Sequence, residues 1–241
     1  MPDRSYERKE LVESLVVQRQ LHRGPIVSTI QHAWRHIFVP AEYDELAYAD
    51  RPIPLDGKRL LTAPSDVAKM SELLDLSSGD RVLEIGTGTG YQTAVTADIV
   101  GAENVFSIDD ETYAALAKEN VSRLDEEIRL STVDFDGIQI RVGDGREGWP
   151  EAAPFDAIYL TVAVEKLPPV LFDQVATAGR LLAPVGGTGR QTLTSFERLP
   201  SGEFDRSEHG QVQFAPLLPT DVPGSPGTSN EAGRDPRDGN V

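Results

Sequence analysis

The feature that most constrains the fold is a short apolar run that passes directly into a glycine-rich turn. Residues 82–85 are apolar apart from one glutamate, and they are followed by Gly86-Thr87-Gly88-Thr89-Gly90 and then by helix-forming residues. Ligands of open α/β sheets bind where parallel strands end, and glycine lets a backbone pass close to a ligand. The segment therefore predicts a binding loop, and a plain glycine-rich turn is the alternative interpretation.

Short apolar runs alternate with helical stretches over the following hundred or so residues. The predicted strands are 82–85, 105–108, 138–142, 157–160 and 181–185, and the helices between them include 93–100, 111–124 and 167–176. This alternation indicates an α/β, Rossmann-like fold with a mostly parallel central sheet and helices on both faces. Two later runs, 192–199 and 212–217, flank a polar loop at 201–202 and predict antiparallel C-terminal strands.

The first third of the chain predicts helices. Apolar residues at 11, 12, 15 and 16 recur at helical spacing, and the segment 26–37 follows a similar pattern. The stretch 39–61 is rich in proline and acidic residues and predicts irregular structure. A further helix is expected to begin at Pro64, because proline suits the first helical turn.

These patterns divide the chain into three parts. Residues 1–76 are predicted to be an N-terminal helical extension that packs on the core, and residues 77–218 are predicted to be the core itself. Residues 219–241 contain almost nothing apolar, so we expect a disordered tail.

The spacing of the glycines indicates which cofactor the loop binds. Gly86, Gly88 and Gly90 alternate, whereas a dinucleotide fingerprint would require a third glycine where Gln92 stands. This pattern favours S-adenosylmethionine over NAD and predicts the fold of methyltransferases that use it. The predicted cofactor-binding residues of this segment are Glu84, Gly86, Thr87, Gly88, Thr89, Gly90 and Gln92.

Acidic residues follow two further strands at the same predicted edge of the sheet. Asp109 ends the second strand, where a carboxylate can accept hydrogen bonds from both ribose hydroxyls, and Asp110 is the substitute for this role. Asp144 and Gly145 follow the third strand, and Asp144 is expected to orient the adenine amino group. The alternative interpretations are a surface acid for Asp110 and a simple Asp-Gly turn for Asp144.

Composition excludes several classes of function. The chain has no cysteine, which excludes thiolate nucleophiles and cysteine-ligated metals. The net charge of −16 argues against a nucleic-acid partner and suggests a high-salt cytoplasm, where salt screens the repulsion between surface carboxylates. The absence of a long apolar run and of a signal peptide predicts a cytoplasmic protein without a membrane partner.

Beyond the cofactor loop, the sequence resembles the protein-L-isoaspartate O-methyltransferases over residues 11–218. The segments that carry the resemblance are Arg35-His36-Ile37-Phe38-Val39-Pro40, Leu46-Ala47-Tyr48, Asp50-Arg51-Pro52, 82–92, 142–150 with its Gly-Trp-Pro, 154–158, 179–182 and Phe214-Ala215-Pro216-Leu217. The resemblance implies transfer of a methyl group to the α-carboxylate of L-isoaspartyl residues in damaged proteins or peptides. A carboxylate with a pKa of about 3.9 is already ionised at neutral pH, so this reaction needs no general base.

The substrate loop departs from the family pattern. The family usually shows Gly-Gln-Thr-Ile-Ser, a short residue, proline and then histidine or tyrosine, whereas this chain is one residue longer between Gly57 and Pro64 and has Ser65 in place of the ring. Thr62 aligns with the active-site serine of the family and is the predicted catalytic residue. Capping of the helix at Pro64 is the alternative role for Thr62.

Other interpretations stay open on the sequence alone. A paralogue that methylates a small molecule or RNA, and a cofactor-binding protein without turnover, are the alternatives to the isoaspartyl enzyme. His32 and His36 lie four residues apart, but no third ligand is apparent, and we predict no metal site. Thr161 has two interpretations: it faces the site of methyl transfer, or it packs within the sheet as a threonine at a strand end. We expect a monomer.

Overall fold

The structure, a computed structural model, describes residues 4–18, 21–22, 25–56, 59–128, 135–187 and 189–217. The helices are α1 (Ser5–Val17), α2 (Pro25–His32), α3 (Pro64–Leu74), α4 (Tyr91–Val100), α5 (Glu111–Glu127) and α6 (Pro169–Asp173). The strands are β1 (Ile53–Pro54), β2 (Leu60–Leu61), β3 (Val82–Ile85), β4 (Val105–Asp109), β5 (Gln139–Val142), β6 (Phe155–Leu160), β7 (Val175–Val185), β8 (Gln191–Arg198) and β9 (Phe204–Val212). Short 3-10 turns lie at Arg35–Phe38, Ala41–Leu46, Ala102–Asn104 and Pro150–Ala152.

The central sheet has seven strands in the order β5-β4-β3-β6-β7-β8-β9. The first five strands of this order run parallel, and β7, β8 and β9 pair antiparallel. All four residues of the central strand β3 are buried, as expected for a strand covered on both faces. The predicted α/β fold with antiparallel C-terminal strands is confirmed.

Successive side chains of the central strands point to opposite faces of the sheet and enter two separate hydrophobic clusters. Val82 packs in a cluster with apolar residues of α3, α4 and α5, whereas Leu83 and Ile85 pack in a second cluster with Leu171 of α6. A third cluster joins α1 to Ile30 of α2 and Ala68 of α3. The N-terminal helices therefore pack on the side of the sheet that carries α3 and α4.

Three element predictions were wrong in part. The helix expected over 167–176 is limited to α6, because the backbone N–H of Phe155 donates to the carbonyl of Gln174 at 2.8 Å and Val175 already pairs with Phe155 as the start of β7. The helix expected over 26–37 ends at His32 and is followed by the 3-10 turn. Within the predicted irregular stretch 39–61, β1 and β2 form a short antiparallel pair.

The strand predicted at 212–217 was also wrong, because the last strand is β9 and ends at Val212. Most residues of β9 are exposed polar or charged side chains, so this edge strand carries no apolar alternation for the sequence to reveal. Residues 213–217 lie instead against the segment after β6, where the N–H of Ala163 donates to the carbonyl of Ala215 at 2.7 Å.

The predicted tail, 219–241, lies outside the described residues. In the described part of the chain, no helix combines the length and apolar character that crossing a bilayer requires.

Candidate functional site

The glycine turn lies at the carboxyl end of β3 and leads into α4. Gly86, Gly88 and Gly90 have φ values of 97°, 55° and 90°, which non-glycine residues rarely adopt. A Cβ atom on Gly86 would also lie 2.5 Å from Oγ1 of Thr161. All three positions therefore favour glycine for their backbone conformation, and Gly86 also requires it for space.

Asp109 lies at the end of the neighbouring strand β4 and is hydrogen-bonded to the glycine turn. The N–H of Gly88 donates to Oδ2 of Asp109 at 2.8 Å, and the N–H of Asp110 donates to Oδ1 at 2.8 Å. Asp110 caps α5, because its Oδ1 accepts from the N–H of Tyr113 at 3.0 Å. The two acids thus have different roles: Asp109 holds the turn, and Asp110 begins a helix.

Arg59 reaches both acids from the segment before β2, a contact that the sequence analysis missed. Its Nη1 lies 2.7 Å from Oδ1 of Asp109, and its Nη2 donates to Oδ2 of Asp110. Fifty residues separate Arg59 from Asp109 in the chain, so no local pattern could have indicated the pair.

Glu84 is fully buried beneath the turn. Its Oε2 accepts a hydrogen bond from Oγ of Ser107 at 2.8 Å and another from Oγ1 of Thr93. Burial raises the pKa of Glu84 to about 7, so a large fraction of this side chain is neutral at physiological pH. The predicted residue Glu84 therefore supports the turn from below and also lines the cavity above it.

Polar side chains of the turn and of α4 are buried with unused hydrogen-bonding capacity. Oγ1 of Thr89 and both amide atoms of Gln92 have no hydrogen-bond partner in the described part of the chain, whereas Thr87 bonds to Oγ of Ser107 at 2.6 Å. Leaving buried polar atoms unsatisfied costs roughly 1–3 kcal/mol each, and Thr89 and Gln92 both line the cavity described next.

These residues line one cavity of about 220 Å³ at the carboxyl edge of the sheet. Thr62 from the β2–α3 connection, Thr161 after β6 and Phe214 after β9 face the glycine turn and Asp109 across it. The structure therefore brings together side chains from the N-terminal extension, the core and the last segment. Thr161 lines the cavity and also donates to the carbonyl of Gly86, so it packs against the end of β3, and its role in transfer stays a prediction.

Thr62 is half-buried, and no hydrogen bond of its hydroxyl to any described residue is found. The N-terminal cap of α3 is Ala63, and no side chain caps this helix. The capping interpretation of Thr62 is therefore wrong, and its hydroxyl is available to the cavity. Gly57 lies outside the described residues.

Asp144 and Gly145 differ in position. Asp144 pairs with Arg146, whose Nε lies 2.9 Å from both carboxylate oxygens, and this pairing lowers the pKa of Asp144. Asp144 does not line the cavity, whereas Gly145 lines a smaller space of about 30 Å³ that also contacts Asp109. A Cβ atom on Gly145 would lie 2.3 Å from the side chain of Ile85.

His32 and His36, which are four residues apart in the chain, have separate surroundings. Nδ1 of His36 lies 2.6 Å from Oη of Tyr48, and His32 lies 3.9 Å from Asp98. In the ranges that the structure describes, no three histidine or acidic side chains come together as metal ligands.

Comparisons with known proteins agree with this arrangement. The family model described as Protein-L-isoaspartate(D-aspartate) O-methyltransferase matches residues 6–221. A Methylorubrum populi relative named Protein-L-isoaspartate O-methyltransferase is 40% identical over 88% of this chain and 94% of its own length. An Archaeoglobus fulgidus relative, Protein-L-isoaspartate O-methyltransferase 2, is 39% identical over 89% of this chain and 94% of its own.

The fold is also similar to a solved structure. A Plasmodium falciparum candidate protein-L-isoaspartate O-methyltransferase, in complex with S-adenosyl-L-homocysteine, superposes with a TM-score of 0.75 over 88% of this chain and 98% of that chain. The identity is 23%, so this likeness concerns the fold alone.

Proposed function

Because the chain belongs to the protein-L-isoaspartate O-methyltransferase family, and is therefore an S-adenosylmethionine-dependent methyltransferase of L-isoaspartyl residues in proteins, we propose that its reaction takes place in the cavity between Thr62 and Asp109. The observation that carries this proposal is the meeting of an unpaired hydroxyl, a glycine turn and a strand-end carboxylate around one cavity. No other described cavity combines these groups.

We propose that the turn 86–90 and Asp109 hold the nucleoside. Asp109 accepts hydrogen bonds from the ribose, while the backbone of the glycine turn passes close to the ligand. The adenine lies on the side of Gly145, where the space of about 30 Å³ has to widen to admit a purine, and Asp144 turns from Arg146 to bind its amino group. The unsatisfied amide of Gln92 and hydroxyl of Thr89 fit the polar remainder of the molecule.

The bound cofactor supplies a methyl group on a positively charged sulfur. The acceptor carboxylate is ionised at neutral pH, so the protein does not have to remove a proton. Thr62 donates a hydrogen bond to one carboxylate oxygen, which fixes the orientation of the other. Alignment of this kind, with exclusion of water, accounts for up to about 7–11 kcal/mol of a barrier.

A substrate panel tests the proposed acceptor. We expect methyl transfer from labelled cofactor to a peptide that contains L-isoaspartate, and none to the same peptide with normal aspartate. RNA and small carboxylic acids form the other arms of the panel. Transfer only to one of these would contradict the proposed acceptor and leave the proposed cofactor intact. Cofactor binding without any transfer would contradict both the proposed role of Thr62 and the proposed acceptor.

We propose further that the protein is a monomer of the cytoplasm of a high-salt organism, without a nucleic-acid or membrane partner. The net charge of −16 supports this, because concentrated salt is needed to screen it. Light scattering and activity measured from 0.1 to 3 M KCl test the proposal. A dimer at all salt concentrations, or an activity that falls steadily with salt, would contradict it.

A further inference from the structure

Arg59 forms two ion pairs beside the cavity, one with Asp109 and one with Asp110. Its guanidinium bonds to Asp109 and Asp110 and lies over the ring of Tyr113, 4.1 Å from the ring centre. Oη of Tyr113 donates to Oδ2 of Asp56 at 2.8 Å, and Oδ1 of Asp56 accepts from the N–H of Arg59 at 2.7 Å. We call these side chains, Asp56, Arg59, Asp109, Asp110 and Tyr113, the Arg59 cluster.

The Arg59 cluster uses hydrogen-bonding positions that the proposed ribose site requires. A carboxylate has about four acceptor positions. Three positions on Asp109 are taken by Arg59 and by the N–H groups of Gly88 and Asp110. One position remains, whereas a ribose diol needs two, so Arg59 has to leave Asp109 when the diol binds.

The size of the cavity points to the same movement. Its volume of about 220 Å³ is below the roughly 300–1,000 Å³ of sites that enclose a ligand of this size. Arg59 lines the cavity beside Asp109, and its guanidinium is held there by ion pairs with side chains. Displacement of this side chain therefore enlarges the cavity without moving the sheet.

Charge indicates where the displaced guanidinium goes. The cavity is lined by the acids Asp66, Glu84 and Asp109, and Arg59 is the one cationic side chain among its described lining residues. Burial raises the pKa values of Asp66 and Glu84, which shows how poorly this space tolerates an uncompensated carboxylate. The acceptor is itself a carboxylate and needs a positive partner.

We propose that Arg59 exchanges partners during the reaction: the ribose of the cofactor displaces it from Asp109, and the released guanidinium then binds the acceptor carboxylate beside Thr62. Two residues, Leu60 and Leu61, lie between Arg59 and Thr62 in the chain, and all four line the cavity. This inference rests on the proposed function. It makes cofactor binding the first step, because the acceptor's positive partner is free only afterwards.

Replacement of Arg59 by methionine tests the exchange, since methionine keeps an unbranched apolar stem and removes the charge. We expect the Kd for S-adenosylhomocysteine, measured by titration calorimetry, to fall about tenfold in R59M, because Asp109 loses its competing partner. We expect KM for the isoaspartyl peptide to rise about tenfold, with kcat at saturating peptide within twofold of the original. R59K should restore most of the peptide KM.

Two further variants serve as controls. Arg206 pairs with Glu208 on the exposed strand β9, and R206M removes the same charge away from the cavity. R206M should leave both constants within twofold. Tyr113→Phe loosens the Arg59 cluster by removing the bond to Asp56 and leaves Arg59 in place, so it should lower the Kd about threefold and spare the peptide KM.

The outcomes separate this proposal from the proposed function. Weaker binding of S-adenosylhomocysteine by R59M, or an unchanged Kd, would overturn the displacement step, and an unchanged peptide KM would overturn the acceptor step. If the original protein methylates no isoaspartyl peptide, the acceptor assignment fails, whereas the calorimetric comparison of R59M with R206M still decides whether Arg59 competes with the nucleoside.

Discussion

The two halves of the cavity are held in place by different kinds of interaction. On the proposed cofactor side, the turn 86–90 is fixed by backbone hydrogen bonds, such as that from Gly86 to the carbonyl of Ile108 at 2.9 Å, and by buried strands on both sides. On the proposed acceptor side, β1 and β2 are two residues each, and Arg59 ties this segment to the core through side-chain ion pairs. The first half, which we call the rigid half, is thus held by backbone structure, and the second half is held to the core by side chains.

This difference separates what each half contributes to the reaction. A site built on backbone geometry is specific for one ligand and changes little, whereas a segment held by a few charged contacts can change partners as ligands bind. We therefore expect substitutions on the proposed cofactor side to alter nucleoside affinity strongly, and substitutions on the proposed acceptor side to alter kcat/KM for the peptide moderately.

Asp109→Ala gives the largest expected effect. In the proposed binding mode it removes the acceptor of two charge-assisted hydrogen bonds from the ribose, each worth roughly 1.5–3 kcal/mol, and it also releases the N–H of Gly88. We expect the Kd for S-adenosylhomocysteine to rise at least hundredfold in calorimetry. Asp205→Ala on the exposed part of β9 is the matched control and should change nothing. A Kd within threefold of the original would mean that Asp109 does not hold the nucleoside.

Glu84→Gln tests the rigid half through pH. The pKa of Glu84 is raised to about 7 by burial, so between its unfolded value of about 4.5 and 7 the folded protein holds a proton that the unfolded chain releases. The contribution of Glu84 to the unfolding free energy is therefore complete below pH 4.5 and is lost as the pH rises to about 7. The amount lost is on the order of 3 kcal/mol. The difference in unfolding free energy between the variant and the original, measured by denaturant from pH 4.5 to 8, should change by that amount. A difference that is constant with pH would contradict the shift.

Thr62→Ala tests the acceptor half alone. Loss of one hydrogen bond to the acceptor should lower kcat/KM for the isoaspartyl peptide about tenfold, and the Kd for the cofactor product should stay within twofold. Thr62→Ser keeps the hydroxyl and should retain most of the activity. If Thr62→Ala weakens nucleoside binding and leaves transfer intact, the cofactor and acceptor sides of the cavity are assigned the wrong way round.

Arg146→Ala gives the smallest expected effect. Arg146 is about half exposed, so its pair with Asp144 is worth less than about 1 kcal/mol. Release of Asp144 toward the adenine should lower the Kd by less than about fivefold, and it should do so only for ligands with an adenine amino group. An equal change for the inosine analogue, which lacks that amino group, would exclude Asp144 from the base site.

The rigid half was the more predictable from sequence. Its strand β3 was predicted with the observed bounds, because a buried parallel strand and a glycine turn are encoded by adjacent residues. The pairing of Arg59 with Asp109 depends on residues fifty positions apart and left no local signal. Strand β9 was missed since an exposed edge strand lacks apolar alternation, and the pairing of Asp144 with Arg146 could have been found from their spacing of two.

In the part of the chain that the structure describes, β9 is the outermost strand of the sheet, and its edge has a consequence for how the protein resists polymerisation. An unpaired strand edge is a template on which another chain can add, and charged side chains and β-bulges are the usual obstacles. Strand β9 carries Asp205, Arg206 and Glu208 on exposed positions, and its register with β8 shifts between Thr192 and Thr194. Concentrated salt weakens the first obstacle and leaves the second intact, so the irregular register protects this edge where electrostatic repulsion is no longer effective.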